Sequence, residues 1–506
     1  MFKLENKKYF IGIYALILSL FSLYFTYRAN FQILNLKCPE FEVLMFCILL
    51  IAGILSIVYY TKNNEKLHKV ALVLIIIFGI ISLFLTPIYD VSDETEHFVR
   101  SEIVSTGELS TNYVPIPNTT ANGYKTIASV TTFFDNAGAN VFNTHADDDK
   151  IDYTPSYFNS AFAQNPFYGY LAQGLGVFLA KCLDLNAIWM LWLGRFFNLL
   201  LYAGIIAVAI KKAPVFKFPL LIVSILPIAI YQAASTSCDG LFSALAILAF
   251  SYFLYFYKTP KIAWTDLGIF YIAVILCGLL KTPYLALSLL IFLVPNTNFS
   301  DKKQNIIAKL CILVALGIGI AWSSYATTQL ANSWRGEYFI QKNVSASGQI
   351  DYLLANPLIA LQRFGEIYST ALPTVIDRFF YFSNSVREYS STLLAGIYFV
   401  FFCLFSVFYC NSEDLNLKTR VKGFLIFVLI YSGVMAVQYL TWSPVGGENV
   451  TSGVFSRYFM PLLIFLPFVF GIGNEKIDKQ TLSFLVLTIA IGFISGMLML
   501  TTAVKY

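Results

Sequence analysis

Asp90-Val91-Ser92-Asp93-Glu94-Thr95-Glu96-His97 stands one residue past an apolar run, Val70 to Ile88. The run has the length of a membrane helix, which needs about 20 mostly apolar residues. A helix end at a bilayer surface would insert more easily with neutral residues there. Adjacent carboxylates with a histidine at a membrane rim suit proton transfer or ion binding. We read the stretch as the reaction centre of an integral-membrane enzyme.

Composition agrees with that setting. The chain has 506 residues, 58% hydrophobic and 12% charged, with a mean hydropathy of +0.68. Soluble domains carry roughly 25% charged residues. The class is therefore all-α polytopic membrane protein. The net charge of +5 bears on topology rather than nucleic acid, and no nucleic-acid partner is expected. The eight cysteines fall mostly inside apolar spans (Cys47, Cys277, Cys311, Cys403) and none forms a Cys-x-x-Cys pair. Neither a zinc knuckle nor a disulfide framework is indicated. The first apolar segment lacks a small-residue cleavage site and reads as a retained helix.

Thirteen candidate spans follow from apolar length: Tyr9–Tyr27, Phe41–Tyr60, Val70–Ile88, Ala187–Ile210, Phe218–Ser235, Leu241–Tyr257, Trp264–Leu280, Pro283–Pro295, Ile306–Thr327, Leu393–Tyr409, Gly423–Tyr439, Phe455–Gly473 and Leu482–Ala503. Pro283–Pro295 is short and reads as a half-helix continuing the one before. Placing Lys3, Lys7 and Lys8 in the cytoplasm puts six short basic loops inside: Lys62/Lys66/Lys69, Lys211/Lys212/Lys217, Lys258/Lys261, Lys302/Lys303, Lys418/Arg420/Lys422 and Lys476/Lys479. Counting Pro166 to Cys182 as a span would break that pattern, so it reads as an interfacial or re-entrant helix on the outer face. The expected organisation is 1–88 N-terminal helices, 89–186 a first large outer segment with the acidic motif, 187–327 central helices, 328–391 a second outer segment with a surface helix from Asp351 to Thr370, and 392–506 C-terminal helices.

Asp93 and Glu94 are the candidate catalytic pair. One would act as general base beside a supporting carboxylate, since neighbouring carboxylates split their proton affinities. The plainer reading is an acidic first turn of a helix. His97, three residues on, can share a face with Glu94 and orient it or contact a phosphate. Arg195, Lys281 and Arg457 are cations near the outer ends of spans. A cation at membrane depth is costly and usually faces a cavity and a partner, snorkelling to the interface being the alternative. Asp239 starts a span near the same face and either orients one of these cations or caps its helix. His-Glu-x-x-His is absent. A divalent cation remains open, with the Asp147-Asp148-Asp149 run offering oxygen ligands, against a hydrated surface run.

Taken in order, Asp93-Glu94-x-x-His97-Phe98-x-Arg100 with Gly107-Glu108-Leu109, Tyr231-x-x-Ala234-Ser235-x-Ser237-x-Asp239, Lys281-x-x-Tyr284 and Ser456-Arg457-Tyr458-Phe459-x-Pro461 resemble the blocks of the DUF2142 membrane proteins. Family members often carry Pro where this chain has Ser92, and Gly where it has Ser456. The resemblance extends to the GT-C glycosyltransferases. It implies a GT-C-like enzyme in the bacterial cytoplasmic membrane, with its site on the extracytoplasmic face. Such an enzyme moves a sugar with inversion from a polyprenyl-phosphate donor to a glycan or cell-envelope acceptor. It further implies Asp93 or Glu94 as base, and substrate contacts from His97, Arg100, Arg195, Asp239, Lys281, Tyr284, Arg457 and Tyr458.

Two other classes compete. A lipid-linked oligosaccharide polymerase or ligase would lean on outer-loop arginine and histidine rather than an acidic pair. A transporter or flippase tends to show repeats and midplane ionisable residues, whereas these ionisable groups sit at a rim and no internal repeat is visible.

Overall fold

The computed structural model describes residues 7–32, 39–110, 113–119, 122–133, 135–162, 165–378, 392–409, 415–472 and 478–506. Lys3, Lys476 and positions 379–391 of the second outer segment lie outside the described residues. The chain opens with α1 (Lys7–Gln32), α2 (Pro39–Asn63) and α3 (Leu67–Leu85). The segment after α3 holds α4 (Glu94–Ser105), β1 (Val114–Pro115), β2 (Asn122–Ile127), α5 (Ala128–Thr132), β3 (Pro155–Phe158) and α6 (Leu171–Cys182). Then come α7 (Ile188–Lys212), α8 (Lys217–Ser224), α9 (Pro227–Ala233), α10 (Asp239–Lys258), α11 (Trp264–Leu280) and α12 (Lys302–Ala331). The second intervening segment carries α13 (Trp334–Gln341), α14 (Ala346–Ala355), α15 (Pro357–Glu366) and α16 (Leu372–Arg378). The chain closes with α17 (Thr392–Phe408), α18 (Leu417–Trp442), α19 (Phe465–Phe470) and α20 (Lys479–Lys505).

Among the described residues, eight helices are long and apolar enough to cross a membrane: α1, α2, α3, α7, α10, α12, α18 and α20. Four shorter apolar helical stretches accompany them: Trp264–Leu280, Thr282–Leu293, Gly396–Phe408 and Ser456–Phe470. The remaining candidate span, Phe218–Ser235, is broken into α8 and α9 by Pro227, with Leu226 extended before it. Thr282–Leu293 is wound as a 3₁₀ helix after an extended Lys281. At about 2.0 Å per residue, those 12 residues reach about 24 Å. The segment between α3 and α7 departs from a purely helical picture. It carries a small antiparallel sheet in the order β1-β2-β3, with Tyr124 opposite Phe158.

The outer helices face their surroundings with apolar side chains. Leu16, Leu20 and Leu23 on α1, and Leu313, Val314 and Ile320 on α12, are exposed. Such faces are stable against lipid, not water. At the centre, α10 and α20 are mostly buried. Close crossings depend on small residues. A Cβ at Gly176 of α6 would stand 2.3 Å from the Leu193 carbonyl oxygen of α7. That crossing ties the first outer segment to the bundle. At 12 residues, α6 spans about 18 Å, short of a crossing. Its Leu171, Leu175 and Phe178 are exposed and form an apolar face. The surface helix expected from Asp351 to Thr370 is instead two helices, α14 and α15, divided at Asn356-Pro357.

Chain direction gathers the chemistry. The C-termini of α3 and α11 and the N-termini of α7 and α10 lie at one end of the bundle, with the start of the 3₁₀ stretch Ser456–Ile464. Lys66, Lys212 and Lys258 lie at the opposite ends of their helices.

Candidate functional site

Pro87 stops α3 because it lacks an N–H and pushes Thr86 into extended backbone, with ψ at 119°. The turn to α4 then passes through two left-handed residues, Tyr89 (φ 56°) and Asp93 (φ 63°). Aspartate tolerates that region; tyrosine pays strain, and such residues gather at functional sites. The turn sends its four carboxylates to four different partners. Asp90 lies 3.5 Å from Lys505 of α20. Asp93 pairs with Arg457, Glu94 with Arg195, and Glu96 accepts from the Trp334 indole at 3.0 Å and from the Ser160 hydroxyl.

Asp93 begins a ladder of alternating charge. Arg457 Nη2 binds its carboxylate, Arg457 Nε lies 2.6 Å from Asp239 Oδ2, and Lys281 Nζ lies 3.7 Å from Asp239 Oδ1. The middle members are sealed, Arg457 at 5% and Asp239 at 3% side-chain exposure, while the ends are open, Asp93 at 33% and Lys281 at 25%. Tyr458 lays its ring over the Lys281 ammonium, 3.8 Å from the ring centre. Tyr284 donates to the Tyr458 carbonyl at 2.6 Å, so it holds the Arg457-Tyr458 backbone in place rather than facing the opening. The ladder thus presents a carboxylate and an ammonium at its two open ends. That arrangement offers a proton acceptor at one end and an anion contact at the other.

The neighbouring Glu94 is placed quite differently. Its side chain and that of Arg195 are fully buried. Glu94 Oε1 accepts from Arg195 Nε at 2.8 Å and from the Thr236 backbone N–H at 3.1 Å, while Oε2 accepts from Arg195 Nη2 at 2.6 Å. Arg195 also donates to the carbonyls of Leu83 (3.0 Å), Thr86 (2.8 Å) and Pro87 (2.9 Å). The Leu83 and Thr86 carbonyls are among those that the end of α3 leaves without helical partners, so Arg195 caps α3. Expected as a base candidate and a phosphate contact, Glu94 and Arg195 instead form a closed pair that a substrate does not reach in this arrangement.

Two more expected substrate contacts turn inward. His97 is buried, its Nδ1 2.8 Å from the Tyr170 hydroxyl and its Nε2 3.2 Å from Ser237 Oγ. Burial pulls its proton affinity down to about 4, against the opposing pull of Asp239 and Asp93. The ring is neutral at pH 7 and clamps α4 to the loop before α10. Arg100 donates to the carbonyls of Asn165 (3.3 Å), Glu108 (3.5 Å) and Leu109 (2.8 Å). Its guanidinium shapes the Gly107-Glu108-Leu109 turn, where Gly107 has a φ of 87°. The sequence offered charge but not direction, and direction separates these two from the ladder.

Residues that the sequence reading passed over complete the frame. Asn198, one turn below Arg195, donates to the carbonyls of Ser235 (2.8 Å) and Ser237 (3.0 Å). Gln173 of α6 reaches the Thr236 carbonyl at 3.4 Å. Together with Glu94 and His97 they fix the Ser235–Asp239 loop, and hence Asp239. A polar amide in the middle of an apolar span was the available signal for Asn198. No local signal existed for Trp334, which comes from a segment more than two hundred residues away.

The Asp147-Asp148-Asp149 run is exposed, with His145 Nδ1 3.7 Å from Asp148 at the surface. Among the described residues no group of three or more His, Cys, Asp or Glu is placed to share a metal ion. Between Asp93 and Asp239 the bridging charge is the Arg457 guanidinium.

No curated protein sequence and no solved structure matches the chain. The family described as "Predicted membrane protein (DUF2142)" matches at residues 74–466, a stretch that takes in the acidic turn, Asp239, Lys281 and Arg457. With well over half of its length matched, the chain belongs to the DUF2142 family of predicted membrane proteins.

Proposed function

We propose that this chain is a membrane glycosyltransferase of GT-C-like architecture. It moves a sugar with inversion from a polyprenyl-phosphate donor to a glycan or cell-envelope acceptor. All thirteen apolar segments cross the bilayer in this reading, Phe218–Ser235 as one span kinked at Pro227. The ladder end faces the extracytoplasmic side of a bacterial cytoplasmic membrane, and the basic loops at the opposite ends lie inside.

One observation carries the reading: Asp93 is the open carboxylate of a cluster whose other open end is a cation, at the rim of an apolar bundle. The acceptor hydroxyl attacks the anomeric carbon as the bond from that carbon to the phosphate oxygen breaks. Asp93 takes the hydroxyl proton, and the electron pair leaves with the lipid phosphate. Arg457 and Lys281 face that growing charge. An arriving phosphate competes with Asp93 for the donors of Arg457, which frees the carboxylate to accept a proton. A cavity of about 360 Å³ is lined by Phe459, two positions along the chain from Arg457, with Tyr431, Leu463 and other residues. It suits the apolar tail of a lipid-linked donor.

The test is transfer in proteoliposomes loaded with polyprenyl phosphate bearing a radiolabelled hexose and supplied with envelope glycan. Label should pass from the lipid to the aqueous fraction with wild type, and not with Asp93→Asn. Equal transfer by the two proteins overturns the assignment of the base. A wild-type protein that carries intact labelled lipid between leaflets without cleaving it would be a flippase.

A further inference from the structure

Arg335, at the start of α13, belongs to none of the sequence blocks and is 3% exposed. Its guanidinium carbon lies 3.5 Å from the centre of the Trp442 ring and 4.9 Å from that of Tyr338. Nη2 donates to the Thr441 carbonyl at 2.6 Å. Nη1 is buried without any hydrogen-bond partner. Among the described residues no carboxylate pairs with it. Burial pulls its proton affinity down to about 10, opposed by the Tyr338 and Tyr458 hydroxyls, so it stays cationic at neutral pH. A buried cation with an idle donor and no counter-charge costs several kcal/mol unless something neutralises it.

Its position tells what that would be. Next to it, Trp334 accepts α13 onto the first outer segment: the indole N–H binds Glu96 at 3.0 Å and the backbone N–H binds Asn159 at 2.9 Å. Glu96 lies three residues from Asp93 in the chain. On the bundle side, Tyr458 acts electrostatically on Arg335, Lys281 and Arg457 alike, and its ring centre is 3.8 Å from Lys281 and 5.2 Å from Arg457. Lys281 and Arg457 thus share one phenol, and Arg457 is held between Asp93 and Asp239. The idle Nη1 belongs to the second intervening segment, whereas Lys281 and Arg457 belong to the bundle.

We propose that Arg335, with Lys281, forms a phosphate-binding site beside Tyr458, in which Nη1 of Arg335 donates to a phosphate oxygen. Phosphate fits better than a carboxylate because it brings up to two negative charges and several acceptor oxygens to a cluster of separate cations. The aromatic walls of Trp442 and Tyr338 keep water from the guanidinium and raise the worth of each contact. The site deepens the transferase reading, in which it would hold the lipid phosphate of the donor, but it stands on geometry that any phosphate ligand would satisfy.

The experiment is binding, not turnover. Full-length protein in phosphatidylcholine nanodiscs is titrated with inorganic phosphate, and separately reconstituted with increasing polyprenyl monophosphate. Melting temperature and tryptophan emission are read, because Trp334 and Trp442 flank Arg335. Wild type should show a saturable rise in melting temperature with at least one probe. Response to both marks a site for the phosphate group alone, and response only to the lipid marks a headgroup that needs its chain. Arg335→Gln should bind about tenfold or more weakly, and Arg335→Lys should recover only part of the loss. Without a probe, Arg335→Gln should melt no lower than wild type, since it removes an uncompensated buried charge; an arginine that merely anchors α13 would melt lower. No saturable response in wild type, or binding by Arg335→Lys equal to wild type, overturns the site, and the lysine variant decides if the glutamine variant does not fold. Phosphate binding through Arg335 without sugar transfer would sink the transferase reading and keep the site. Transfer with an unchanged donor KM in Arg335→Gln would do the reverse.

Discussion

Asp93 and Glu94 are adjacent in the chain and belong to two ion networks with opposite characters. The Glu94–Arg195 network is closed: both side chains are fully buried, both carboxylate oxygens are bonded, and the guanidinium caps the end of α3. The Asp93–Arg457–Asp239–Lys281 ladder is open at both ends. A closed pair has spent its hydrogen-bonding capacity on the fold, whereas an open one keeps capacity for a ligand. The left-handed backbone at Asp93 divides them, because it turns one carboxylate toward the rim and the next into the bundle.

The sharpest way to break this contrast is Glu94→Gln. It leaves Arg195 buried without its paired carboxylate, and removing one partner of a buried pair costs about 3–5 kcal/mol. Folded yield and melting temperature, read by fluorescence-detected gel filtration, should fall together. Asp93→Asn should leave both nearly unchanged while transfer drops about 10²- to 10⁴-fold. If Asp93→Asn melts as low as Glu94→Gln, the ladder is structural and the contrast collapses.

Arg457 sharpens the ladder side. Arg457→Ala should raise donor KM by roughly tenfold or more and affect acceptor KM less, because a fixed guanidinium can pair with phosphate through two parallel bonds. Arg457→Lys should rescue only in part. Coincident donor curves for wild type and Arg457→Lys would mean that the residue merely anchors its helix.

The smallest effect concerns His97, which sits between the two networks. Its folded-state value of about 4 lies below the ordinary 6.5, so the unfolded chain takes up the proton first. Its contribution is full above about pH 6.5 and is lost as the pH falls toward 4. Asp93, Asp239, Arg457, Lys281 and the Tyr170 and Ser237 hydroxyls face the ring. Melting temperature should therefore decline across that window in wild type and decline less in His97→Gln. Parallel profiles would show that the ring is not held neutral.

Much of this was legible beforehand because it depends on local, additive properties. Apolar length marked the helical segments, and each of the thirteen candidate spans coincides with helix, continuous or broken. The sequence reading takes Phe218–Ser235 as one span and misses the break at Pro227, and it sets Pro166 to Cys182 apart by loop charge rather than by length. Chain direction alone brought Asp93, Asp239, Lys281 and Arg457 to one end. The division of labour was not legible. Arg195 and Arg457 are the same residue type at similar depth, and nothing in their neighbours says that one caps α3 while the other bridges two aspartates.

Hydropathy and charge, acting residue by residue against the bilayer, already mark a helical membrane chain and place Asp93, Asp239, Lys281 and Arg457 near the ends of apolar spans. The packing of the bundle decides which carboxylate is spent and which is open, that His97 and Arg100 serve the frame, and that Trp334 from a distant segment reaches Glu96. Those outcomes depend on side-chain direction and on partners one to four hundred residues apart, and a pairing at that range is fixed by the packing of the whole bundle rather than by any stretch of chain.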